Sequence, residues 1–150
     1  GVEICDLLAR DGTFVHVKHA HGSAPLSHLF MQALVAVQTF KNSSQTRQNF
    51  YAQVKKLDGS WPISAEFEPT RLVFAILLKA GTPLGPDTLF PFAQVALVQV
   101  ERTLRTLYDV DVEVIGIDPE AGSIPPVSAR LPAPRDADPS GQAQLSLFRR

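Results

Sequence analysis

Asp6, His16 and Lys18 are the residues of this chain whose types and spacing could do chemistry. They sit on two short apolar-rich runs, 2–8 and 13–18, on either side of Arg10-Asp11-Gly12. A short loop ending in Gly suits a β-hairpin with Gly12 in the left-handed region. Pairing Leu8 with Phe14 then sets Asp6 opposite His16 and Ile4 opposite Lys18. Because side chains alternate along a strand, Asp6, His16 and Lys18 are expected on one face, and Glu3, Cys5, Val15 and Val17 on the other. A carboxylate, an imidazole and an ammonium group sharing a face can hold a divalent cation, activate water and offset charge on a phosphate. Mg²⁺ prefers oxygen donors, whereas the nitrogen of His16 is better suited to Mn²⁺ or Zn²⁺. The plainer alternative is a polar hairpin face turned to water.

The same stretch holds all four histidines, His16, His19, His21 and His28, and the single cysteine, Cys5. A zinc site drawn from these five residues is a second possibility, although their spacing matches no standard structural zinc pattern and no CxxC pair is present.

The elements that must position these groups follow in order. Gly22 to Pro25 turns the chain, with Ser23 or Ser27 available to cap a helix and a Pro in its first turn. Leu26, Leu29, Phe30, Ala33, Leu34, Val37 and Phe40 recur at helical spacing and make its apolar stripe. His28, Gln32 and Thr39 lie off that stripe, and a Gln on a helix flank is ordinarily a solvated side chain. A second helix is expected over 45–57, with Phe50, Val54 and Leu57 inward. Lys41, Arg47, Lys55 and Lys56 give this region local positive charge that could meet phosphates; the alternative is a solvated helix face. Trp61 beside Pro62 reads as a core lid, or as a ring on which a base could stack. Residues 71–79 read as a buried strand, and 91–108 as a helix with Phe92, Ala96, Val100, Leu104 and Leu107 inward. Residues 109–117 read as a strand with Val110, Val112 and Val114 on one side. The order β-β-α-α-β-α-β predicts an α/β (α+β) domain, a mixed sheet flanked by helices, over residues 1–118.

At 150 residues and 45% apolar content the chain can bury one core. A net charge of −1 provides no global field for nucleic acid, so any phosphate contact must be local. A single cysteine fits a reducing cytoplasm. No apolar run is long enough to span a bilayer.

The run GVEICDLLARDGTFVHVKHAHGSAPLSHLFMQAL resembles the C-terminal region of a sporadically distributed bacterial family of unknown function, through its E-x-C-D-L strand, H-V-K strand and S-x-x-L-S-H-L-F helix start. The later segment from Thr70 to Ile117 is similar to that family's final strand–helix–strand. Members are usually longer, which implies a terminal fragment or short form, and their patchy occurrence implies defence or mobile-element genes. The hairpin also resembles the site of restriction-endonuclease-like (PD-(D/E)xK) nucleases. There the first acid corresponds to Asp6, the Lys to Lys18 and a helix Gln near the site to Gln32, while His16 stands where an acid is usual. That resemblance implies a divalent-metal-dependent nuclease with Asp6 and His16 as metal donors. The departure at His16 leaves a non-catalytic DNA- or partner-binding adaptor as the alternative.

From residue 119 the composition turns to Pro, Gly, Ala and Ser, which predicts a flexible tail over 119–150. It carries Gln144-Leu145-Ser146-Leu147-Phe148, similar at every position to the peptide that docks on the bacterial sliding clamp. Leu147 and Phe148 would fill an apolar pocket while Gln144 supplies a directional hydrogen bond. The expected partners are therefore the clamp and DNA.

Overall fold

The computed structural model describes residues 3–118 together with the backbone of 127–130. Its hairpin closes as the loop chemistry predicts. Strands β1 (Leu7–Leu8) and β2 (Phe14–His19) run antiparallel, with Leu7 opposite Val15 and Leu8 opposite Phe14. Gly12 takes a φ of +85°, and a Cβ there would lie 2.5 Å from the Phe67 ring, so both backbone and space call for glycine. The Asp11 carboxylate accepts the Thr13 N–H at 3.0 Å and steadies the turn.

The ladder stops sooner than the apolar run suggests. The Asp6 N–H still donates to the Val15 carbonyl at 3.0 Å, but its carboxylate takes the Val17 N–H at 2.7 Å. A side-chain oxygen thus occupies the place of the next backbone acceptor, and residues 3–6 leave the strand. Alternation of faces therefore does not carry back to Glu3.

Beyond β2 lie β3 (Arg71–Leu77) and β4 (Asp111–Ile117), both parallel to their neighbours, with His16 beside Phe74 and Phe74 beside Val114. A last strand, β5 (Val127–Arg130), pairs antiparallel with β4, giving the order β1-β2-β3-β4-β5. This strand falls inside the stretch expected to be a flexible tail. The open edge of β4 accepts a backbone partner largely irrespective of its side chains, so a composition poor in core residues does not preclude the pairing. The remainder of 119–150, including Gln144, Leu145, Ser146, Leu147 and Phe148, lies outside the described residues.

The helices are α1 (Ser23–Asn42), α2 (Ser44–Leu57) and α3 (Pro91–Tyr108). Ser23 is the first residue of α1 rather than its cap, and Gly22 in the cap position offers no side-chain bond. At α2 the Ser43 hydroxyl does cap, accepting the Thr46 N–H at 3.1 Å. The α3 core face is Ala93, Leu97, Val100 and Leu104, whereas Phe92 and Leu107 point to solvent at 81% and 68% exposure. Helical spacing counted from Phe92 put those two positions on the wrong side.

One core joins Phe14, Leu72, Phe74, Ile76, Val112 and Val114 of the sheet to the apolar stripes of α1 and α3, so both helices cover the same face. Phe30 meets Phe74 edge-on at 4.7 Å, and Phe14, Phe40, Phe50 and Phe67 cluster toward the other end. Helix α2 is peripheral. It buries no residue fully, and Leu57, expected inward, is 88% exposed. The sheet's other face carries the buried carboxylate of Glu113, paired with Arg71. Among the described residues no helix is long and apolar enough to cross a membrane.

Candidate functional site

Helix α1 runs along β2 and leaves an open groove of about 570 Å³ between them. Its strand side is Glu3, Asp6, His16, Val17 and Lys18; its helix side is His28, Leu29, Met31, Gln32 and Val35. Asp6, His16, Lys18 and Gln32, singled out on sequence grounds, thus line one cleft. They arrive by different routes. His16 and Lys18 share the helix-covered face because they alternate with Val15 and Val17 in β2 and pair with Phe74 and Ile76. Asp6 is held by its carboxylate bond to the Val17 N–H. Gln32 comes from the flank of α1.

Burial differs sharply across the groove. His16 is only 5% exposed, whereas Lys18 is exposed. Removal from water pushes the His16 pKa below its ordinary value, while the nearby Asp6 charge pulls the other way. Burial wins, and the imidazole is neutral at neutral pH. Its Nε2 has no hydrogen-bond partner, which is unusual for a buried nitrogen.

Sequence reasoning misplaced Glu3 and Val17 and gave no site role to Met31 and Val35. Glu3 was expected on the opposite face with Val17; Glu3 reaches the groove because the ladder ends at Leu7, and Val17, still within β2, borders it as well. His28 was seen only as a possible zinc ligand. The signal that could have found Glu3 is Asp6 itself, whose short acceptor can end a ladder.

The zinc set does not assemble. His19 and His21 stack on each other with centroids 5.1 Å apart and take no part in the groove. Burial, followed by the Asp6 and Glu3 charges, pushes the Cys5 thiol up to about 12, so it stays protonated and is a poor ligand. Among the described residues, no group of three or more His, Cys, Asp or Glu side chains is placed to hold a metal ion.

None of the four basic residues proposed for nucleic acid lines the groove. Lys41 donates to the Tyr108 carbonyl at 2.5 Å, and Arg47 to the carbonyls of Phe40 and Lys41 at 3.0 and 2.7 Å. Both also face Glu68, at 3.7 and 3.8 Å. These cations hold the C-terminal ends of α3 and α1, where unpaired carbonyls favour positive charge. Lys55 donates to the carbonyls of Gly59 and Trp61 at 3.1 and 2.7 Å. Lys56 follows on the same helix. Lys41 lies about 13 Å along the α1 axis from Gln32, so this cluster is a separate feature. Trp61 is half-buried, with the Arg10 guanidinium 5.0 Å from its ring centre.

Residues 1–117 match the family model described as a family of unknown function (DUF6119). The chain belongs to that family. The match ends at Ile117, the last residue of β4, and so takes in every groove residue of this DUF6119 domain. No curated protein and no solved structure matches the chain.

Proposed function

We propose that this domain is a DNA-associated module whose groove between β2 and α1 hydrolyses phosphodiester bonds with the help of a divalent cation. In this reading the chain works in the defence or mobile-element setting that the sequence resemblance implies. The Gln144–Phe148 peptide tethers it to the bacterial sliding clamp. The supporting observation is that Asp6, His16, Lys18 and Gln32 line a single cleft.

The donor set suits one kind of metal binding and not another. An all-protein cage needs more convergent donors than are present among the described residues. Mg²⁺ and Mn²⁺, however, are commonly held by one or two protein groups together with substrate phosphate and water. Asp6 and the neutral imidazole of His16 would be those groups, and the nitrogen donor favours Mn²⁺. A cation so held would polarise the phosphate and lower the pKa of its bound water. Lys18 stands at the exposed lip, where its ammonium group meets charge developing on a phosphoryl oxygen. Gln32 has an amide donor and acceptor to orient water or the sugar–phosphate chain.

A second reading, a non-catalytic adaptor that binds DNA or a partner in the same groove, draws on the Asp6 bond to the Val17 N–H, which already occupies one carboxylate oxygen. Nicking of DNA in the presence of Mn²⁺ separates the two. Hydrolysis requires activity that falls in Lys18→Ala and Asp6→Asn. The Asn variant keeps an acceptor for the Val17 N–H, so its fold should survive.

A further inference from the structure

The proposed chemistry uses the strand side of the groove and leaves most of the helix side without a role. His28, Met31, Gln32 and Val35 line that side and follow one another at i, i+3, i+4 and i+7, a continuous face of α1 beside its buried stripe. Two of them are apolar, one turn apart, and wet. Met31 is 47% and Val35 45% exposed. A single exposed apolar side chain is ordinary, but a neighbouring pair inside a cleft with a polar far wall has the form of a ligand site.

We infer that the groove seats one unpaired nucleotide, its base laid on Met31 and Val35 and its phosphate beside Lys18. This rests on the phosphodiester reading above and specifies its substrate as single-stranded. Side chains one turn apart on a helix stand about 5–6 Å from each other, enough to floor a nucleobase ring. Gln32 and His28 flank that floor with an amide and an imidazole, groups that can bond to a base edge. A volume of about 570 Å³ has room for a nucleotide-sized group. A base inside a duplex has both faces covered by its neighbours and cannot lie on this floor. Charge points the same way. Glu3 and Asp6 line the groove opposite the floor, so a phosphate is welcome only near Lys18, and a net charge of −1 offers no track for a duplex backbone.

The test is fluorescence anisotropy on the full chain in EDTA, which prevents cleavage. Three labelled probes are compared: a short single strand, its duplex, and a strand of equal length whose central nucleotides are abasic. The single strand should bind about tenfold or more tighter than the other two, the usual scale of base stacking. Met31→Gln should remove that preference while leaving abasic-strand binding unchanged, and Lys18→Ala should weaken every probe. Equal binding of abasic and normal strands, with loss in Lys18→Ala, overturns the base seat and leaves the phosphodiester site standing. A retained preference for the unpaired strand without cleavage in Mn²⁺ overturns hydrolysis and leaves the seat. Binding of none of the probes overturns the base seat and leaves the metal-dependent site to be decided by nicking in Mn²⁺.

Discussion

Replacing His16 by leucine should make the fold more stable while abolishing the proposed metal-dependent hydrolysis. The imidazole is 5% exposed, and its Nε2 has no partner. A buried polar atom left unpaired costs about 1–3 kcal/mol. Leucine removes that cost and keeps contact with Phe74, whose ring centre lies 6.2 Å away. Imperfect shape gives back up to about 1.5 kcal/mol. The net expectation is a gain of about 1 kcal/mol, or a rise of about 4 °C in Tm for a domain of this size. The pH dependence has a definite sign. Burial lowers the His16 pKa in the folded state beneath its ordinary 6.5, so the unfolded chain takes up the proton first. Wild-type stability therefore falls as pH drops below 6.5 toward the lowered folded value, and this contribution is fully regained above it. The leucine variant lacks that term, so its advantage should be larger at pH 5.5 than at pH 7.5. Thermal unfolding followed by circular dichroism at both pH values reads this directly. A lower Tm in the variant at both pH values would show that His16 contributes to the fold, and the reasoning would fail.

Three further outcomes follow from the same geometry. Gly12→Ala, forced to positive φ and against the Phe67 ring, should cost about 2 kcal/mol or more in urea unfolding. Cys5, held near 12, should react with iodoacetamide at pH 8 about a thousandfold more slowly than an unperturbed thiol. Removing residues 144–150 should abolish capture by purified sliding clamp, and retained capture would dismiss the peptide as the tether.

Much of the fold was legible because its signals are local. The Arg10-Asp11-Gly12 loop set the hairpin and its Leu8–Phe14 register, and β3 and β4 announced themselves as apolar runs without helical spacing. What the pattern missed depended on contacts distant in sequence. Phe92 looked like a core residue, but the direction in which α3 lies over the sheet turns Ala93 inward instead. Glu3 was assigned by alternation, and alternation ended where the Asp6 carboxylate took a backbone N–H. Lys41 and Arg47 looked like phosphate contacts, but each reaches a helix-end carbonyl. Strand β5 carries almost no hydrophobic signal because the edge of β4 supplies the backbone partner. The groove itself was half legible. His16 and Lys18 followed from period-two alternation, which misplaced Glu3 and Val17, while the α1 face that borders them became visible only once helix and strand were packed together.

The measurement closest to the central claim is nicking of supercoiled DNA in Mn²⁺ by the intact chain and by Lys18→Ala and Asp6→Asn, with circular dichroism verifying that each variant is folded. The account predicts nicking by the intact chain that EDTA stops, and a loss of about a hundredfold or more in both variants. Folded variants that nick as fast as the intact chain, or an intact chain that does not nick at all, would contradict it.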